Sequence, residues 1–236
     1  DAPIGYISST KNYCDVVAKN VAGKKCSWED YWLNGEVQHF IGKDISYFHF
    51  LFWPAMLMAM GIPIPKLTVH GWITVNGEKM SKSRGTFFTA KDFLQLYPAE
   101  SLRFYYASHL DRKVVDVDIN FAELQALVNN VLAGNLGNFC YRVLTFAEKN
   151  YGKIISAAEG VEEKRISKEM EKLVDEVKQN YAEQNFKLAV KNILKISDLG
   201  NAYFQKSEVW KEPQHSGNSA KVGYAVNIAR KLAILV

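Results

Sequence analysis

Two folding grammars follow one another along the 236 residues, and together they predict an α/β half-domain followed by an all-α helical bundle. Up to about residue 110, short β-branched runs alternate with helical stretches, the spacing of a parallel α/β sheet. After Asp118, apolar residues recur at three- and four-residue steps and no strand-like run returns. No Pro- or Gly-rich linker separates the two parts, so the expected division is 1–115 and 116–236.

Each element has a local reason. Lys11–Asn20 reads as a helix stopped near Gly23. Val37–Ile41 is a short apolar strand ending at Gly42, and Asp44 is placed to cap a helix running to about Met60. Leu67–Val75 is rich in β-branched residues and meets Asn76-Gly77, a strong turn dipeptide. Thr89 can cap Ala90–Tyr97, and Pro98 opens a second helix, Ala99–Ser108. Four amphipathic stretches complete the chain: Phe121–Asn150, Lys164–Gln184, Phe186–Ser207 and Ser219–Val236. In the third, Phe186, Ala189, Val190, Ile193, Leu194 and Ile196 form one stripe.

Composition narrows the class without naming a function. With 48% hydrophobic and 23% charged residues, the chain is an ordinary globular one. Fifteen bases face fourteen acids up to residue 150 and fourteen face eleven afterwards, so charge alone points to no polyanion. Three widely spaced cysteines predict neither a disulfide framework nor a zinc knuckle, and a reducing cytoplasm is the expected compartment. Tyr47–Ile64 carries no fixed charge, yet Pro54 and Gly61–Pro65 limit any helix there to about 14 residues, so a buried core helix is expected and a membrane span is not. The chain starts on Asp1 and ends on an uninterrupted amphipathic run, which predicts a piece of a longer protein.

Lys79-Met80-Ser81-Lys82-Ser83 carries the chemistry. It follows a strand and an Asn-Gly turn and leads into Arg84-Gly85 and a helix. Two lysines three apart on a small, serine-flanked loop form a cationic clamp suited to a triphosphate whose charge shifts during reaction. A generic pair of spaced lysines is usually a solvated turn. The full pentapeptide is not generic, since ~20 options per position put a chance match in a chain this long near roughly one in ten thousand.

That pentapeptide resembles the signature loop of class I aminoacyl-tRNA synthetases, and the flanks resemble methionyl-tRNA synthetase. They are Asp1-Ala2-Pro3-Ile4-Gly5-Tyr6, Gly42-Lys43-Asp44-Ile45 with Tyr47-Phe48-His49, and His70-Gly71-Trp72 with Thr74-Val75-Asn76-Gly77. The resemblance implies a Rossmann-like nucleotide-binding half-domain. It also implies activation of methionine by ATP (with Mg²⁺, as substrate) and transfer to methionine tRNA. Lys82 would stabilise the phosphate in transfer and the leaving pyrophosphate, with Lys79 assisting. Gly42 and Asp44 would approach the ATP ribose, and His70, Gly71 and Ile73 would border adenine. Pro3, Tyr6, Ile45 and His49 would line the methionine pocket, whose aromatic edges suit a soft thioether. Taken alone, His49 reads as a core histidine, Asp44 as a helix cap, and Phe48, Phe52, Trp53 and Met56 as core.

The family's His-Ile-Gly-His segment does not occur in these 236 residues; His39-Phe40-Ile41-Gly42 resembles a fragment of it in the wrong order and place. The chain therefore reads as the second half of a catalytic domain, with no metal site expected and little activity expected of it alone. The bundle would read the CAU anticodon. Asn135, Asn138 and Arg142 stand at i, i+3 and i+7 on one helical face, and Trp210 beside Lys211 suits base stacking. Packing of the same residues on neighbouring helices is the alternative. Two other readings stay open: a tRNA-binding module without catalysis, and another class I synthetase sharing the lysine loop.

Overall fold

The β-branched run expected over 67–75 breaks at Gly71-Trp72 and serves two sheets. The computed structural model describes residues 2–18, 26–80, 89–152, 156–157, 160–213, 215 and 217–236. β1 (Gln38–Gly42) and β2 (Lys66–His70) pair in parallel, with Ile41 opposite Val69 and Gly42 opposite His70. β3 (Ile73–Val75) lies between β4 (Glu78–Lys79), antiparallel to it, and β5 (Val117–Ile119), parallel to it. The break needs a glycine, because a Cβ on Gly71 would collide with the Val115 carbonyl. Asn76 (φ 50°) and Gly77 (φ 78°) make the left-handed two-residue turn that their sequence announces.

The chain divides into two compact units, Asp1–Trp72 with Lys113–Asp116, and Ile73–Arg112 with Val117–Val236. This differs from the expected division at 115/116. The reason is pairing that sequence spacing does not show. β3 hydrogen-bonds to β5, and the Leu110 carbonyl accepts the Lys187 N–H at 2.9 Å, so the 73–112 stretch is tied to the helices rather than to β1 and β2.

In the first unit, α1 (Gly5–Asn12) runs into a π-helical turn, Tyr13–Ala18. α2 (Trp28–Trp32) is capped by Ser27, whose hydroxyl accepts the Glu29 N–H at 3.3 Å. The expected single helix from Asp44 is instead three pieces: a 3₁₀ turn Lys43–Ile45, a π turn Phe48–Phe52, and α3 (Trp53–Ala59). Asp44 makes no side-chain cap. Trp32, Trp53, Leu57 and Ile62 form the core here. Contrary to the expectation of a buried helix, Tyr47, Phe50, Leu51 and Met58 are exposed among the described residues. The expectation of no disulfide also fails: Cys14 and Cys26, Cα atoms 5.0 Å apart, are bonded. The fold brings them together from either side of twelve residues of sequence separation, which cysteine counting cannot anticipate.

The second unit follows its sequence closely. Thr89 and Asp92 form a reciprocal capping box at the start of α4 (Ala90–Leu96), and Pro98 precedes α5 (Ala99–His109). α6 (Phe121–Ala126) passes through a long π-helical stretch, Leu127–Gly137, into α7 (Asn138–Tyr151). α8 (Val161–Ala182), α9 (Phe186–Ser207) and α10 (Asn218–Leu235) complete the bundle. Phe139, Val143, Met170, Val177, Ile196, Ile228 and Leu232 are buried in one cluster. No helix among the described residues is long and apolar enough to cross a membrane.

Candidate active site

Pro3, Tyr6, Ile45 and His49, dispersed over the first fifty residues, line one cleft of about 570 Å³ in the first unit. The wider π turn at 48–52 delivers Phe48, His49 and Phe52 to that cleft, where Met56 joins them. Phe48, Phe52 and Met56 are therefore cleft-lining residues rather than core, while Trp53 is buried as expected.

A chain of polar contacts runs behind the cleft. The Ile45 carbonyl lies 3.0 Å from His49 Nδ1, and a carbonyl can only accept, so the imidazole proton sits on Nδ1. Nε2 is then free to accept the Tyr6 hydroxyl proton at 3.0 Å. His39, on β1, accepts the Trp53 indole N–H at 3.2 Å and lies 4.5 Å from the Tyr6 ring, centroid to centroid. Burial, and then the electrostatic influence of the neighbouring His49 imidazole, hold His39 below the ordinary imidazole range. Sequence reading passed over His39 because its partners lie on two other elements.

Gly42 and Asp44 sit at the end of β1 in the same unit. A Cβ on Gly42 would come within 2.6 Å of the Asp44 carboxylate, so any other residue there would make the Asp44 side chain swing aside. Asp44 is exposed. His70 stacks on Phe40 with rings nearly parallel, and burial lowers its basicity. Lys43 Nζ pairs with Asp116 at 2.6 Å and lies 4.4 Å over the Trp72 ring. The Trp72 N–H also reaches Asp116, at 2.8 Å. The Lys43 hydrogen bond, with the Trp72 N–H after it, keeps the Asp116 carboxyl below the usual carboxylate range. Asp116 had no local signal, being more than forty residues from its partners.

In the second unit, Ile73 is exposed on β3, and Lys79 ends β4 opposite Thr74. Asp118 Oδ1 accepts both the Thr74 hydroxyl and the Gly77 N–H at 2.7 Å, which fixes the turn leading to the lysine loop. Ser81, Lys82 and Ser83 lie outside the described residues.

The expected anticodon residues separate into two groups. Asn135 is engaged internally: its oxygen accepts from Ser197 at 2.9 Å and Asn201 at 3.0 Å, and its amide donates to Asp198 at 2.7 Å. That geometry favours packing for Asn135. Asn138 is exposed. Arg142 donates to Gln205 at 3.3 Å and lies 6.0 Å from the Trp210 ring. Trp210 is half-buried against Phe204, with ring centroids 5.7 Å apart.

A cleft with apolar walls and a phenol–imidazole pair is followed in sequence by a lysine loop and a helical bundle. The family described as tRNA synthetases class I (M) matches residues 1–144, and the chain belongs to it. It is 41% identical over 216 residues to a methionine–tRNA ligase of Methanopyrus kandleri, covering 89% of this chain and 30% of that protein. It is 36% identical over 246 residues to the methionine–tRNA ligase of a Psychrobacter species, covering 99% of this chain and 35% of that protein. The chain thus spans about a third of the length of these curated relatives. In fold it is similar to Mycobacterium tuberculosis methionyl-tRNA synthetase bound by methionyl-adenylate, with a TM-score of 0.78 and 23% identity over 92% of this chain and 44% of that one. The apo form of that synthetase gives a TM-score of 0.74 at 20% identity, covering 95% of this chain and 44% of that one.

Proposed function

We propose that this chain supplies the methionine pocket, the lysine loop and the anticodon-reading bundle of an enzyme that joins methionine to methionine tRNA. The assembly of Pro3, Tyr6, Ile45 and His49 on one cleft carries the reading. Its walls suit the unbranched thioether side chain, and the Tyr6 hydroxyl, having donated to His49, keeps lone pairs for an ammonium or other donor. Relatives named methionine–tRNA ligases, and a structural neighbour bound by methionyl-adenylate, support the same reading.

In the first step the methionine carboxylate attacks the α-phosphorus of ATP, the bond to the bridging oxygen breaks, and pyrophosphate leaves. Lys82, with Lys79, neutralises the charge that accumulates on the leaving group. Gly42 lets the backbone approach the ribose, and Asp44 accepts from its hydroxyls. His70, Gly71 and Ile73 border the base. In the second step a hydroxyl of the terminal tRNA ribose attacks the acyl carbon and AMP departs. Mg²⁺ enters as part of the nucleotide substrate. Asn138, Arg142 and Trp210 form the face for the CAU anticodon, Trp210 by stacking and Arg142 by hydrogen bonding to base edges.

Methionine-dependent pyrophosphate exchange tests the reading, run on the longest protein the gene encodes and on the 236 residues alone. Exchange with methionine and not with leucine, isoleucine or valine is expected from the former. Equal exchange with another amino acid overturns the assignment. The isolated chain is expected to exchange far more slowly.

A further inference from the structure

The bundle has a second surface that the anticodon reading does not use. Between α8 and α10 runs an open groove of about 880 Å³, with Lys164 and Lys168 on one wall and Arg230 and Lys231 on the other. Lys164 and Lys168 are one helical turn apart, about 6 Å along α8. Two carboxylates, Glu163 and Glu171, share the groove with these four cations. Glu163 is turned to the bundle interior, where it accepts the Tyr203 hydroxyl at 2.6 Å and is 9% exposed.

The contrast with the other bases of α8 is informative. Arg165, Lys172 and Lys178 are paired with Glu169, Glu176 and Asp175, each within 3.9 Å. Among the described residues no carboxylate comes within 4.0 Å of Lys164, Lys168, Arg230 or Lys231. α10 contains three bases and no acid. On α8, then, the two cations without a carboxylate partner among the described residues, Lys164 and Lys168, line the groove, while Arg165, Lys172 and Lys178 are neutralised locally. A surface of that kind suits an extended polyanion.

Its position ties it to the face already described. Gln205 and Lys206 are neighbours at the end of α9. Gln205 accepts from Arg142, and Lys206 pairs with Glu162 at the start of α8 at 2.7 Å. Tyr224, near the start of α10, donates to the Glu163 carbonyl at 2.8 Å. The groove thus opens at the end of the bundle that carries Arg142 and Trp210.

We infer that the α8–α10 groove holds the phosphate backbone of the double-stranded stem of an RNA whose loop lies against Arg142 and Trp210. This rests on the reading that the bundle binds tRNA. Shape and backbone contacts are how base-paired RNA is recognised, and they need cations in a row rather than stacking platforms. Loop and stem would then be held by different chemistry on adjoining surfaces.

The test uses this chain and two labelled RNAs, an anticodon stem–loop hairpin and a loop-only oligonucleotide, followed by fluorescence anisotropy over a salt series. Lys168→Ala and Arg230→Ala, alone and together, are compared with Lys178→Ala, which removes a paired cation. Each groove variant should weaken hairpin binding about 3- to 10-fold at low salt and reduce the slope of log K against log salt by roughly one. Binding of the loop-only oligonucleotide should not change, and Lys178→Ala should alter neither. Trp210→Ala should weaken both RNAs. Groove variants that leave the hairpin unaffected, or that weaken both RNAs equally, overturn the inference while leaving the anticodon face standing. Competition by heparin as effective as by unlabelled hairpin reduces the groove to a generic polyanion surface and also overturns it. If the unmodified chain binds neither RNA, the tRNA reading and the groove fall together. Equal melting temperatures across the variants exclude a folding artefact.

Discussion

In the bundle Phe139, Tyr203 and Phe204 are each at most 4% exposed, whereas in the first unit Phe48, Phe50 and Phe52 are each at least 47% exposed. The residue types are alike, and the exposed stretch is the more apolar of the two, with no fixed charge from Tyr47 to Ile64, so composition cannot account for the contrast. Neighbouring helices wall in these three bundle aromatics: Phe139 fills the space that Gly200 leaves open, and a Cβ there would sit 2.4 to 2.7 Å from its ring atoms, a distance no real packing allows. In the first unit the core cluster among the described residues is Trp32, Trp53, Leu57 and Ile62, with Ile7, Trp28 and Val37 packed against it, and Phe48 and Phe52 face the cleft instead. An apolar run is thus core where its own unit closes over it and binding surface where the unit leaves it open.

The separation can be broken most forcefully at the lysine loop. Lys82→Ala in the longest encoded protein should slow adenylate formation by roughly two to four orders of magnitude, as loss of a preorganised charge does. On the proposed role for the lysine, which addresses phosphate and not methionine, methionine affinity should hold. Pre-steady-state kinetics showing weak methionine binding with unchanged chemistry would reverse that role. Next come paired truncations that set the two regions against each other. Phe139→Ala should destabilise the protein to urea by about 3–5 kcal/mol. Phe48→Ala should stay within about 0.5 kcal/mol of the parent while weakening methionine binding. A Phe48→Ala protein as unstable as Phe139→Ala would return Phe48 to the core.

Smaller effects sharpen the cleft itself. Tyr6→Phe removes one hydrogen bond and should cost about 0.5–1.5 kcal/mol in methionine affinity, or roughly 2- to 12-fold, by equilibrium fluorescence. The mildest signal is expected from pH. His39 is less basic folded than unfolded, so the unfolded chain takes up the proton first as pH falls. Stability contributed by its neutral form is complete above about pH 6.5 and declines below it toward the lower folded value. Chemical denaturation between about pH 7.5 and 5 should show that decline, and His39→Gln, which can still accept the Trp53 N–H, should reduce it, the remainder belonging to His70, whose basicity burial also lowers. A variant with the parent's full pH dependence would assign the proton uptake elsewhere.

What the sequence disclosed follows the same regional line. The last three helices, Val161–Ala182, Phe186–Ser207 and Asn218–Leu235, lie close to their expected bounds because each has a regular apolar stripe facing a partner. Thr89, Pro98 and Asn76-Gly77 were legible because caps and turns are local chemistry. The region around 44–60 misled, since a π turn has no periodicity of its own and reads as one helix. The four cleft residues were named through family resemblance, and no spacing rule would have grouped Pro3 with His49. His39, Asp116 and Asp118 escaped because each acquires its role from partners brought up by tertiary pairing. Asn135 was assigned to a base-reading face through the family's Leu-Gly-Asn segment, whereas spacing alone favoured packing, and in the fold its side chain bonds to Ser197, Asp198 and Asn201 of α9.

The π turn at 48–52 also bears on which length changes this stretch of chain can survive. A π turn behaves as an α-helix holding one surplus residue, and each residue of an α-helix turns the chain by about 100°. Deleting a single residue between Phe48 and Phe52 would restore regular winding and rotate everything on one side of the cut relative to the other. Either Trp53 and Leu57 would leave the core, or Phe48 and His49 would swing away from the cleft. Substitutions here can be graded and mild, but a one-codon deletion has no harmless register to fall into.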